Sequence, residues 1–105
     1  MSNQIATRLQ TINKWIETAA SGPADGPGSE AYALKIRSQK LALAANAAAI
    51  DENMAECRQA LAALDQALQA ITDADKKIGT IVTAITIIAE ALDAAEKALR
   101  MAGAI

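Results

Sequence analysis

The sequence predicts an all-α fold, and three observations carry that expectation. Ala fills 27 of the 105 positions, and Ala is the strongest helix former because it loses no side-chain entropy and buries no polar group. Phe is absent and the aromatics are Trp15 and Tyr32, whereas strands favour aromatic and β-branched residues. Every seventh residue is apolar through ten heptad positions: Ile36, Leu43, Ile50, Cys57, Leu64, Ile71, Ile78, Ile85, Leu92 and Leu99. A seven-residue repeat keeps one face of a helix turned toward one partner, as in coiled-coil packing.

The first element is an amphipathic helix over about 3–20. Ile5, Leu9, Ile12, Ile16 and Ala19 recur at 4-3-4-3 spacing, which stacks them on one face. Ser2 or Asn3 supplies the cap. Trp15 flanks the apolar face. It reads as a packing anchor, with a membrane-interface anchor beside Arg8 and Lys14 as the lesser reading.

Residues 21–29, Ser-Gly-Pro-Ala-Asp-Gly-Pro-Gly-Ser, read as a loop, because its prolines lack the amide donor and its glycines raise the backbone entropy lost on folding. A long helix is expected from about 30 to 72, since no Gly or Pro occurs between Glu30 and Ile78. It would span roughly 65 Å at 1.5 Å per residue. An alternative break at Ile50–Asn53, with Asp51 as cap, gives four helices of similar length in an up-down bundle. The expectation favours the long helix, because Ala47–Ile50 and Met54–Cys57 keep phase across that point.

A C-terminal helix is expected over about 74–102. Thr72-Asp73-Ala74-Asp75 resembles a capping box, Asp75 falls on the apolar seam, and Gly79 weakens the helix just beyond. The polar residues of this last helix form one stripe: Thr83, Thr86, Glu90, Asp93, Lys97 and Arg100. A helix apolar over the rest of its circumference is buried on several sides. The whole chain, 1–105, reads as a single domain.

Composition narrows the function. Ten basic and 12 acidic residues give a net charge of −2, without the dense basic face of a nucleic-acid binder. There is no His, the commonest general base and metal ligand. Cys57 is the single thiol, it lies on the apolar seam, and it reads as a structural core residue. Asp73-x-Asp75 begins like a calcium loop, but Ile78 stands where such a loop needs Gly and Ala84 where it needs the bidentate acid. Glu52 and Glu56 lie one turn apart, yet without His they do not form a di-iron motif. No enzymatic activity, cofactor or metal is expected.

A small Ala-rich chain makes a thin core, because apolar burial contributes only about 25 cal/mol per Å². Association is the simplest way to bury more. The expected function is therefore that of a non-enzymatic structural or adaptor protein acting by homo-oligomerisation, its partner a second copy or another helical protein. The expected core and interface residues are Met54, Cys57, Leu61, Leu64, Leu68, Ile71, Ile78, Ile85 and Leu92. The alternatives are a secreted subunit of a needle- or pilus-like filament, and an amphipathic protein of lipid or polymer surfaces. The polar N-terminus lacks a Sec-type apolar segment, so cytoplasmic residence is the default and leaderless export the alternative.

Overall fold

The computed structural model describes residues 4–19, 27–48 and 50–105. It is all-helical: α1 (Gln4–Ala19), α2 (Pro27–Ala47), α3 (Ala55–Asp75) and α4 (Ile81–Met101), with no strand among the described residues. The molecule measures 38 × 24 × 19 Å with a radius of gyration of 13.2 Å, close to the ~13 Å of a compact single domain of this length.

The long helix of 30–72 is not formed. The chain turns between α2 and α3, at the position of the alternative break. The cause is local. Asp51 Oδ1 accepts from the Asn53 N–H at 3.0 Å, and the Met54 N–H donates to the Asp51 carbonyl at 3.2 Å. A short acidic side chain that bonds the backbone two residues on competes with the helix for those amides. Met54 then begins α3 without a side-chain cap, and Glu56 lies in the first turn, where the helix dipole favours an acid.

The expected break at 72–75 is displaced. Thr72 is no cap: it lies inside α3 and its hydroxyl donates to the Leu68 carbonyl at 3.0 Å. The helix ends at Asp75 in a Schellman turn, with the Ile78 N–H on the Asp73 carbonyl (2.9 Å) and the Lys77 N–H on the Ala74 carbonyl (3.1 Å). Lys77 takes the left-handed position at φ 61°. The last helix begins at Ile81, not at 74, and Thr80 caps it by accepting from the Thr83 N–H at 3.1 Å. Of the expected 21–29 loop, residues 21–26 lie outside the described residues, and 27–29 belong to α2. A proline in the first turn breaks no helical hydrogen bond.

The helices pair as two antiparallel hairpins, α1–α2 and α3–α4, which pack with α1 beside α3 and α2 beside α4. Arg8 meets Asp65 and Trp15 meets Asp75, so α1 and α3 run parallel. Around the bundle the order is α1, α2, α4, α3, and the α2–α3 connection crosses one end diagonally.

Each helix buries one face. Ile5, Leu9, Ile12 and Ile16 of α1 meet Leu34, Leu41, Ala42 and Ala45 of α2, Cys57, Ala60, Leu64, Ala67 and Ile71 of α3, and Ile85, Ile88, Ala91, Leu92, Ala95, Ala98 and Leu99 of α4 in one core. Ala19 is the one member of the expected α1 face outside the described side chains.

Candidate functional site

The nine residues expected at a core or interface separate into three groups. Cys57, Leu64, Ile71, Ile85 and Leu92 are buried within the single chain. Met54, Leu61 and Leu68 are partly buried and pack against that core. Ile78 stands 75 % exposed. The heptad row is therefore largely satisfied inside one molecule, and it does not form the continuous free seam that the spacing suggests. It leaves the core at the α3–α4 turn, at Ile78, and within α2, where Leu43 is exposed while Leu34, Ser38, Leu41, Ala42 and Ala45 face inward.

Among the described residues, the exposed large apolar side chains are Leu43, Ile78, Ile81, Val82, Met101 and Ile105. Five of the six lie at the two ends of the bundle. Ile78, Ile81 (51 %) and Val82 (62 %) cluster at the α3–α4 turn. This end is called the tip. Ile78 occupies the Schellman position whose side chain usually folds back on its helix. Here it points away, and its neighbours Lys76 and Lys77 are exposed too. At the opposite end, the base, Met101 and Ile105 are exposed. Leu43 lies one turn before the end of α2, on the outer side.

The base also gathers acids. Asp51, Glu52 and Glu56 surround the start of α3, and both Glu52 carboxylate oxygens accept from the Gln4 N–H at 3.1 Å. Burial pushes the Cys57 thiol upward, and Glu52, Asp51 and Glu56 push it further, so this thiol stays protonated at neutral pH. A buried, protonated thiol is a poor nucleophile.

The flanks are polar. Arg8 pairs with Asp65 at 2.7 Å, Arg37 with Asp93 at 2.6 Å and Glu96 at 3.5 Å, and Arg100 with Glu96 at 3.7 Å. These exposed pairs fix alignment more than they add stability. Ser38 is the one buried polar residue found among the described residues. Its hydroxyl donates to the Lys35 carbonyl at 2.9 Å and accepts from Asn13 Nδ2 at 3.0 Å, which also donates to Lys35 at 2.8 Å. That knot sets the register of the first hairpin. Beside it a shallow groove of about 150 Å³ is lined by Gln10, Asn13, Gln39, Ala42, Leu43 and Asn46; none of these side chains is titratable.

Among the described residues no group of His, Cys, Asp and Glu is placed to hold a metal ion, and no helix is long and apolar enough to cross a membrane. Comparison of the chain with protein-family models, curated proteins and solved structures found no match. The tip was missed in the sequence because Ile78 reads as one more seam residue. The Lys76-Lys77-Ile78-Gly79-Thr80 stretch was the available signal: a turn followed by a cap places the adjacent apolar residues outside a helix's buried face.

Proposed function

We propose that this chain is a non-enzymatic structural module that works by self-association, and that copies meet through the ends of the bundle. The observation that carries this reading is that, among the described residues, the exposed large apolar side chains lie at the two extremities, with Leu43 on a flank the exception. Contiguous exposed apolar side chains mark interaction surfaces, and the heptad row is already occupied by the core. A contact across the 24 × 19 Å cross-section covers about 400 Å² per copy, about 800 Å² in all, which is the range of weak, concentration-driven contacts.

Light scattering coupled to size exclusion over a hundredfold concentration range tests the proposal. The wild type is expected to grow in mass with concentration. Ile78→Ser/Val82→Ser is expected to remain monomeric with an unchanged melting temperature, because both side chains are solvated in the monomer. A wild type that stays at 10.9 kDa at every concentration overturns the reading. End-to-end growth is also what favours the filament alternative over a closed bundle of bundles, and fibres by negative-stain microscopy at high concentration are its signature.

A further inference from the structure

We infer that this chain has a second folded form, a dimer of exchanged hairpins: the α1–α2 hairpin of one copy closes on the α3–α4 hairpin of another. The inference is separate from the contacts between bundle ends. It starts from the link between α2 and α3, which carries little that obliges the chain to turn back. Residues 48–54, Ala-Ala-Ile-Asp-Glu-Asn-Met, hold neither Gly nor Pro. The left-handed positions among the described residues are Lys77 and Gly103, and both lie elsewhere. The two hydrogen bonds that bend the link both end on Asp51, one on its side chain and one on its carbonyl. Met54 then starts α3 without a side-chain cap. The α3–α4 turn is the contrast. There the Ile78 and Gly79 N–H groups both meet the Asp73 carbonyl, at 2.9 and 3.0 Å, the Lys77 N–H meets Ala74, and Thr80 caps α4. That turn holds its two helices together as a hairpin, whereas the link holds the two hairpins together through one aspartate.

The described contacts that join one hairpin to the other can all form between copies. Gln4 meets Glu52, Arg8 meets Asp65 and Trp15 meets Asp75, and Arg37 of α2 meets Asp93 and Glu96 of α4. The buried side chains of all four helices make one core. An exchanged dimer contains each of these contacts twice, once per bundle, and differs from two monomers only at its two links. Its cost is the freedom lost on joining two chains, which concentration offsets, so exchange is a low-cost route to a dimer. Short links favour it. The barrier is high, because the hairpins part only when the shared core opens. The two forms therefore interconvert through unfolding and are set when the chain folds. Since the link crosses the base, the two bundles of the dimer adjoin at their bases and their tips point apart.

Refolding from urea at high protein concentration tests this, in the Ile78→Ser/Val82→Ser chain so that contacts through the tip play no part. A species of twice the 10.9 kDa monomer mass is expected by light scattering, and it should persist on dilution. The same chain concentrated without unfolding is expected to stay monomeric. Adding Asp51→Ala should raise the dimer yield about tenfold at equal concentration, because each of the two links loses a hydrogen bond that bends it. Glycines inserted after Asn53 should abolish the dimer, because a longer link closes freely on its own chain. Crosslinking identifies the arrangement. Arg8 and Asp65 meet at 2.7 Å across the boundary between hairpins. An Arg8→Cys chain and an Asp65→Cys chain, refolded together and treated with a short bis-maleimide, are expected to give a covalent heterodimer; the same chains folded separately and then mixed are not. Refolding that returns only monomer at every concentration overturns the inference and leaves association through the ends standing. A dimer that gives no such crosslink overturns it too, as does one whose yield ignores both Asp51→Ala and the glycine insertion.

Discussion

At the scale of single residues, position in the bundle decides consequence more than residue type does. Leu64 and Ile78 stand two heptads apart on the same sequence row, yet Leu64 is fully buried and Ile78 is exposed. Leu64→Ala should lower unfolding free energy by about 2–5 kcal/mol, through lost burial and the cavity left behind. Ile78→Ala should change it by no more than ~0.5 kcal/mol, as for surface substitutions generally. Urea denaturation of both variants checks the contrast. Lys77 offers the reverse case. It holds the left-handed position of the α3 Schellman turn (φ 61°), while the same motif after α4 places Gly103 there at φ 76°. In that second turn the Ala104 N–H reaches the Leu99 carbonyl at 2.8 Å and the Gly103 N–H the Arg100 carbonyl at 3.1 Å. An L side chain in this region is disfavoured by about 1 kcal/mol. Lys77→Gly is accordingly expected to stabilise the protein by up to about 1 kcal/mol, offset in part by the greater freedom of Gly in the unfolded chain; thermal melting reads the sign.

At the scale of elements, boundaries rest on particular hydrogen bonds. Thr80 precedes a helix and caps it, whereas Thr72, which the sequence also offers as a cap, lies inside α3. Thr80→Ala should cost about 0.5–2 kcal/mol, and Thr72→Ala much less, since its hydroxyl only returns to the Leu68 carbonyl inside the helix. Denaturation midpoints of the two variants separate these roles. The all-α class and the inward face of α1 were legible from composition and from the spacing of Ile5, Leu9, Ile12 and Ile16. The break at Ile50–Asn53 reads from the sequence as the lesser alternative, because Ala47–Ile50 and Met54–Cys57 preserve a heptad phase that the backbone abandons. Similarly, Ile71 and Ile85 are fourteen residues apart and both buried, although a turn lies between them. A row of apolar residues survives a turn by coincidence in a chain this rich in Ala and Ile. On α2 the row and the true face diverge, and nothing in the spacing distinguishes Leu41, buried, from Leu43, exposed. The candidate surface was only partly legible: Ile78 was named, but Ile81 and Val82 read as part of a buried helix.

At the scale of the whole molecule, two hairpins close on one another through an apolar face and three polar links from α1 toward α3. Gln4 meets Glu52, Arg8 meets Asp65 and Trp15 meets Asp75, spaced from the base to the tip. In each link the acceptor is a carboxylate from the second hairpin or from the segment leading into it. The arrangement satisfies the core without a second chain, and it leaves the association proposed above to the ends. The Trp15 contact has an optical consequence. It joins residues 60 apart in sequence, and it belongs to neither hairpin alone, so the single indole gains this carboxylate neighbour only when the two halves dock. Its emission is therefore a gauge of closure and its neighbours' ellipticity a gauge of winding. Followed together during refolding, the two signals time the meeting of the halves separately from the formation of their helices.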